Sequence, residues 1–466
     1  MYTGPVPHYP TTIDIPRLIE EWCPPPLYFE RVHRMPREAL RALQEKRLVE
    51  TVARAWEIPF FARLWKQKGL APGDIRSLDD LRHLPLYDVN HIRESIARKP
   101  PFGDFMGMDR DSFLPMVIQT SGGTTGLPRP MLYSPHDREI MAMLGARRLT
   151  MQGIAPGDIV QCTYSLGLTN GGAMVREALW KYTGAIPLMT GSGNITPSRR
   201  QIEIMKAWGS NVILGFPHYL RHLATVARDE LKIEPRSLNI KMIGSHLGVE
   251  DRTVIEDLWG APVQDMYGTN ECSTIAADCP HKTGLHINED AFVLEIVDPD
   301  TGAAIPDGQR GTIVLTTLFK QYAPQIRFNV NDVSAIAAGP CPCGGTHRRL
   351  ERIYGRSDNM VKLRGVNVFP EAIGALIGED RRTNGEYFCI VEHVGADRRE
   401  DMTVLVEKAD ASVDAGALAA DLERRFKEAL GVKVTVKPQS RGELDRYTGG
   451  SQTSKLKRLD DRRKKS

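Results

Sequence analysis

Two short stretches of this chain hold metal-binding residue types at close spacing. CPHKTGLH places Cys279 seven positions before His286, and CPCGGTH places Cys341 and Cys343 in a turn of Pro and Gly. Three thiolates and one imidazole are a common closed set for structural Zn2+, a tetrahedron with no position left open for chemistry. The C-x-C spacing is less usual than C-x-x-C, so spacing leaves a second reading open: reduced cysteines in turns beside a core histidine. His281 and His347 are the alternatives if the histidine register differs. The chain has 7 cysteines, and its first residues show no basic leader followed by an apolar run. Reduced thiols in a cytoplasm are therefore expected, not a disulfide framework.

A third stretch, QTSGGTTGLPRP at residues 119–130, is built almost entirely of Gly, Ser, Thr and Pro and follows the apolar FLPMVI. Glycines let successive backbone N–H groups converge on an anion, and hydroxyls add donors. Neither the Walker pattern nor G-x-G-x-x-G is present, and the stretch holds no lysine. Composition alone leaves a phosphate loop and a solvated turn equally open.

These groups are far apart in the chain, so the elements between them must bring them together. Segment 36–68 reads as helical, with Leu48, Val52 and Trp56 at four-residue spacing among charges and a boundary at Pro59. From about residue 116 to 317, apolar runs such as 212–214, 241–243 and 262–266 alternate with helical patterns, which predicts a parallel sheet with crossover helices. AFVLEIVDPDTGAAIPDGQRGTIVLTTL then reads strand, turn, turn, strand. Farther on, EYFCIVEHV and DMTVLVEKA read as strands, and 417–430 as a helix with Leu418, Leu422, Phe426 and Leu430 on one face and Gly431 as its stop. Val432, Val434 and Val436 alternate as in a half-buried strand. The expected fold class is α/β: a large N-terminal domain of parallel sheets with a β-rich subdomain, plus a small α+β C-terminal domain. The expected boundaries are 1–355 for the large domain (helical entry 1–110, α/β core 111–275, β-rich part 276–355), a joint at 356–360, and a small domain at 361–466.

At 466 residues the chain is long enough for roughly two to four structural units. A net charge of +3 argues against an extended nucleic-acid footprint. No window approaches the roughly 18 apolar residues of a membrane helix. The basic end, KLKRLDDRRKKS, reads by itself as a solvated tail.

Five motifs in order carry a resemblance that changes these odds. TSGGTTGLPRP resembles the phosphate loop S-[ST]-G-T-T-G-x-P-[KT] of adenylate-forming enzymes, and DMYGTNEC resembles their Y-G-x-[ST]-E, with Asn270 for Ser or Thr. IRFNVNDV resembles R-[YF]-x-[TS]-G-D-[LV], with Val330-Asn331 in place of Thr-Gly. GRSDNMVKLRGVNVFPEAI is similar to a signature of the phenylacetate–CoA ligase branch, and TSKLKRLDDRR to that branch's G-K-x-x-R-x-x-D-x-R ending, with Ser454 for Gly. The likeness spans nearly the whole chain.

The resemblance implies an ATP-dependent acid–CoA ligase that activates an aromatic or arylacetic carboxylic acid as an acyl adenylate, then forms the CoA thioester. It implies ATP phosphates held by Ser121, Gly123, Thr124, Thr125 and Gly126, with Arg129 where lysine is common. Glu271 would bind Mg2+, and Tyr267, Gly268, Ser245 and His246 would line the adenine site. Asp332 and Arg356 would take the ribose, Asp358 would be the hinge of a mobile small domain, and Lys455 the adenylation lysine, with Lys457 as its rival. Tyr164, Leu168, Asn170, Phe216, His218 and Tyr219 would form the acid pocket. Some members of the branch carry the same C-x6-H and C-x-C pair, which favours zinc at Cys279, His286, Cys341 and Cys343. The expected partners are small molecules only (ATP, CoA and the acid), with a homodimer as the family habit and no membrane or nucleic acid. An adenylating enzyme with an amine, carrier protein or cofactor as acceptor, and a nucleotide-binding protein that has lost catalysis, are the alternatives.

Overall fold

The structure, a computed structural model, describes residues 6–107, 115–121, 128–357, 361–364, 366–368, 370, 372–378, 380–394, 399–448 and 458–465. Gly123, Thr124, Thr125, Gly126, Asp358, Lys455 and Lys457 lie outside the described residues.

Short, apolar, fully buried runs such as Val212–Gly215 and Met242–Ser245 can only be interior strands of a sheet covered on both faces. They lie in an eight-stranded sheet whose five-strand parallel half runs Ile186–Met189, Ile159–Cys162, Val212–Gly215, Met242–Ser245, Val263–Thr269. Parallel neighbours need crossovers, and helices Asn170–Tyr182, Ser198–Trp208, Pro217–Thr225 and Arg252–Trp259 supply them. Beyond Val263–Thr269 the direction changes. Ser273–Ala277, Leu285–Ile287 and Arg349–Leu350 pair antiparallel.

Val263–Thr269 is thus the strand on which the two halves of the sheet meet. Ligands of open α/β sheets bind beyond the carboxyl ends of parallel strands. Those ends here lead into Tyr164, Phe216, Ser245 with His246, and Tyr267. Helix Pro135–Met151 is buried along most of its length, as expected where sheet and helices cover it all round.

A second sheet is antiparallel throughout: Phe292–Val297, Gly311–Thr317, Phe328–Ser334 and Gly355–Arg356. The Gly/Ser/Thr-rich stretch joins a separate hairpin, Val117–Thr120 with Pro130–Tyr133. Ser121 N donates to Arg129 O at 3.1 Å across its mouth.

The chain beyond residue 360 builds its own core, from Val361 to Val436, around a four-stranded sheet ordered Thr435–Gln439, Arg399–Lys408, Thr383–Val394, Leu459–Asp461. Helix Ala415–Leu430 buries Leu418, Leu422 and Phe426, and Gly431 ends it at φ +71° with its N–H on Lys427 O. The valine alternation differs from expectation in one respect. Val432, Val434 and Val436 are all buried, but the strand begins only at Thr435, because the turn after Gly431 carries the first two. The helical pattern of 36–68 forms Arg37–Ala55 and Pro59–Lys66, with Pro59 opening the second helix. No helix among the described residues is long and apolar enough to cross a membrane.

Candidate functional site

The tight turn after Val263–Thr269 carries Glu271. Gly268 has no room for a side chain, since a Cβ there would lie 2.2 Å from Ser273 O. The turn is fastened from outside. Asn270 O accepts from the Tyr133 hydroxyl and from Asn170 Nδ2 at 3.1 Å, and Glu271 O accepts from Lys320 Nζ at 3.0 Å.

The Glu271 carboxylate meets Arg129 of the hairpin in a buried ion pair. Burial alone would push the Glu271 pKa up. Arg129 outweighs it and leaves the carboxyl below its ordinary value, so it is ionised. Lys320, also buried, sits 4.8 Å over the Tyr133 ring, and burial pushes its pKa down.

The same strand supplies Tyr267, whose hydroxyl donates to Asp332 Oδ2 at 2.7 Å, while Arg356 donates to Asp332 Oδ1 at 3.0 Å. Asp332 and Arg356 are register partners on adjacent strands, which fixes their meeting. Val330 and Asn331, where the motif has Thr-Gly, lie within strand Phe328–Ser334. Asn331 sits at φ +64°, the left-handed region that asparagine tolerates best after glycine, and its N–H is held by Asn329 Oδ1 at 2.9 Å.

At the neighbouring strand ends, Ser245 Oγ and the Tyr164 hydroxyl both donate to Gly215 O, at 2.8 and 3.2 Å. Phe216 meets Tyr164 edge-on at 4.8 Å and stacks on His218 at 6.1 Å. Burial, with Arg221 adding to it, pushes the His218 pKa down to about 4. His246 directly follows Ser245.

The other acid-pocket candidates are placed differently. Asn170 is buried with both ends engaged, accepting from Arg138 at 2.7 Å and donating to Asn270 O. Tyr219 turns its hydroxyl to Ser198 and Gln201. Leu168 is exposed, and its carbonyl accepts from Thr120 N at 2.7 Å, tying the hairpin to the loop before helix Asn170–Tyr182. Ser121 closes the hairpin as above.

Past the other end of strand Ser273–Ala277, one ligand atom each from Cys279, His286, Cys341 and Cys343 lies within 4.8 Å of every other. Cys279 Sγ is 3.5 Å from Cys341 Sγ, and Cys343 Sγ is 3.4 Å from His286 Nε2. With bonds of about 2.3 Å to sulfur and 2.0 Å to nitrogen, a zinc tetrahedron has edges of about 3.5–3.8 Å. The donor set therefore fits Zn2+. Burial, with His33 and His347 adding to it, holds the His286 pKa down at about 3, so the ring is neutral, as a ligand must be. His347 is not a substitute ligand: both its nitrogens face backbone groups, of Ile287, Glu289 and Val32. His281 is exposed.

Three residues of these clusters were not foreseen. Lys320 showed only as one cation in the apolar run LFK, and Tyr133 as one aromatic in a short strand. His33, whose Nε2 is 3.7 Å from Cys343 Sγ, gave no signal, because it lies more than 240 residues before its neighbours.

The AMP-binding enzyme family matches residues 79–322, and the AMP-binding enzyme C-terminal domain matches residues 365–463. A phenylacetate–coenzyme A ligase of Thermus thermophilus is 32% identical over 464 residues, 94% of this chain and 100% of that protein. Another, of Aromatoleum evansii, is 31% identical over 455 residues, 95% and 99% of the two chains. A crystal structure of 2-hydroxyisobutyryl-CoA ligase in the postadenylation state is 27% identical and superposes with a TM-score of 0.82, covering 93% of this chain and 91% of that one. In complex with CoA in the thioesterification state, that ligase superposes with a TM-score of 0.67, covering 92% and 91%.

Proposed function

The chain belongs to the AMP-binding enzyme family, and from that premise we propose how its residues divide the work of an ATP-dependent acid–CoA ligase. The activity has two halves. A carboxylate attacks the α-phosphorus of ATP to give an acyl adenylate and pyrophosphate, and the CoA thiol then displaces AMP to give the thioester.

The first half gathers negative charge at the α-phosphate and needs fixed positive charge and donors there. The hairpin loop from Ser121 to Gly126 would take the β- and γ-phosphates on its backbone and hydroxyls. Glu271, an ionised and buried oxygen donor, fits a hard cation and would hold Mg2+ together with the nucleotide. Arg129 occupies that carboxylate in the structure. It would turn to the phosphates as the metal arrives, doing by charge what a lysine does elsewhere. Asp332 and Arg356 would receive the ribose, with Tyr267 bracing Asp332 and Ser245, His246 and Gly268 shaping the adenine site. Lys455 would bridge the α-phosphate and the attacking carboxylate, and Asp358 would be the hinge.

For the acid we propose an arylacetic or aromatic carboxylate. The edge-to-face pair of Tyr164 and Phe216, closed by a neutral His218, supports a flat apolar slot. The two curated relatives named as phenylacetate–coenzyme A ligases point the same way. Asn170 acts as a brace of the Glu271 turn in this reading. The Cys/His cluster would hold one structural Zn2+ and take no part in catalysis. A cytoplasmic homodimer completes the proposal.

The observation that carries the reading is that one strand and the turn after it carry both Tyr267, bonded to Asp332 beside Arg356, and Glu271, paired with Arg129. Pyrophosphate release across a panel of carboxylic acids, with and without CoA, tests it. Phenylacetate is expected to rank among the best, with thioester formed only when CoA is present. Release unaffected by CoA, with an amine acceptor consumed instead, would favour the other class of adenylating enzyme. Lys455→Ala is expected to abolish release while ATP still binds.

A further inference from the structure

Helix Pro217–Thr225 follows Phe216 and carries His218 in its first turn, and three residues past His218 it presents Arg221. Arg221 Nη1 donates to Glu250 Oε2 at 2.9 Å, within the large domain. Its other terminal nitrogen, Nη2, points to the small domain and lies 3.6 Å from Glu386 Oε1. The second oxygen of Glu386 accepts from Arg458 Nη1 at 2.8 Å. Four charges of alternating sign therefore run across the domain boundary in the order Glu250, Arg221, Glu386, Arg458. Their side chains are only 23, 15, 26 and 10% exposed, so water screens them weakly.

The backbone around Glu386 is shaped for this approach. Strand Thr383–Val394 breaks register with its partner between Thr383 and Tyr387, an irregularity that re-aims the side chains it carries. Asn384 fixes the irregular segment, accepting from Glu386 N at 3.0 Å and donating to Glu407 at 2.6 Å. Gly385 sits at φ +85°, where a Cβ would lie 3.9 Å from Arg221 Cζ. On the other side, Arg458 also donates to Tyr387 O at 2.8 Å and covers the Tyr387 ring at 4.5 Å, while its carbonyl accepts from Cys389 N at 2.9 Å. Arg458 is three residues past Lys455 and is pinned to the strand that carries Glu386.

We infer that Arg221 and Arg458 grip Glu386 as an interdomain latch that positions the small domain for the adenylation half-reaction and releases it for thioester formation. This rests on the ligase reading above. The latch couples three parts: the helix that ends the acid pocket, the small-domain sheet, and the chain segment that delivers Lys455. Its make-up suits a contact that opens in each cycle. The bridging distance of 3.6 Å is beyond a hydrogen bond, and Arg221 Nη2 and Arg458 Nη2 are buried without a hydrogen-bond acceptor. A fully satisfied buried pair would resist opening. The domain arrangement is also the one nearer the postadenylation state of 2-hydroxyisobutyryl-CoA ligase, at a TM-score of 0.82 against 0.67. Glu386 and Arg221 are positioning residues; neither touches the reacting atoms.

The test separates the two half-reactions. Pyrophosphate release from ATP and phenylacetate reads adenylation, and thioester formation from synthetic phenylacetyl adenylate and CoA reads the second half. Glu386→Gln and Arg221→Gln are each expected to slow adenylation about tenfold and to leave thioester formation unchanged or faster. Arg221→Lys, which leaves a cation facing both Glu250 and Glu386, is expected to keep most of the adenylation rate that Arg221→Gln loses, which a role of the arginine in packing alone would not allow. Equal loss of both halves, or a rate in Arg221→Lys as low as in Arg221→Gln, overturns the latch. Hydrogen exchange decides it without any substrate. Amides of Pro217–Thr225 and of the start of Thr383–Val394 should lose protection together in Glu386→Gln and keep most of it in Arg221→Lys, and unchanged protection in Glu386→Gln also overturns it. A parent protein that adenylates no acid would refute the ligase reading, and the exchange result would still judge the latch.

Discussion

One strand, Ser273–Ala277, has a different buried polar cluster at each end. Glu271 lies just before it and Cys279 just after it. At the Glu271 end the buried charge has a counter-ion built into the protein, Arg129. At the Cys279 end, three sulfurs and an imidazole converge, and among the described residues no lysine or arginine nitrogen bonds those sulfurs. A buried anion with its own cation can fold first and exchange that partner later. Converging thiolates without a cation are held only as neutral thiols or by a metal. The difference separates a place built for exchange from a place built to stay closed.

The sharpest way to break this contrast is to remove charge at the exchanging end. Glu271→Gln should lower pyrophosphate release by about 10²-fold or more, through loss of the ionised oxygen donor. It should also destabilise the fold by about 3 kcal/mol, because Arg129 is left buried without its partner. Rate assays and denaturant titration of the same protein check both. At the closed end, Cys341→Ser should abolish metal binding, measured as one zinc per chain in the parent by elemental analysis. The unfolding midpoint should fall, while the adenylation rate per folded molecule stays the same. A matching loss of rate would mean the two ends are not separate.

Much of this contrast was legible in the sequence, for particular reasons. The interior strands announced themselves as short apolar runs, and Tyr164, Phe216, Ser245 and Tyr267 fell at or just past their ends. The four metal-ligand candidates were legible because each pair is close in the chain, Cys279 with His286 and Cys341 with Cys343. The pairing of Arg129 with Glu271 was not, since 142 residues separate them and only the packing of the hairpin against the end of strand Val263–Thr269 brings them together. Lys320 and His33 were hidden for the same reason. Asn331 stands where the motif has Gly, and asparagine's tolerance of a left-handed backbone accommodates it within its strand.

Two smaller changes refine the comparison. Arg129→Lys keeps the charge and loses the planar fork. It should raise the KM for ATP about tenfold with a smaller change in kcat, and should leave zinc content untouched. His218 gives a pH signature. Its folded pKa of about 4 lies below the ordinary histidine value of about 6.5, so the unfolded chain takes up the proton first. Stability should therefore fall as pH drops from about 6.5 to about 4 and be unaffected by this group above that window. His218→Asn should flatten that part of the stability profile, read by denaturant midpoints at successive pH values.

The central claim is that the Glu271–Arg129 corner and the strand ends around it make an acyl adenylate that waits for CoA. A single-turnover experiment with ATP, Mg2+ and phenylacetate, first without CoA, tests it most directly. The account predicts a burst of one pyrophosphate per chain with acyl adenylate retained on the protein, then release of AMP and thioester when CoA is added. Pyrophosphate formed at the same rate without any acid, or an adenylate that CoA cannot discharge, would contradict it.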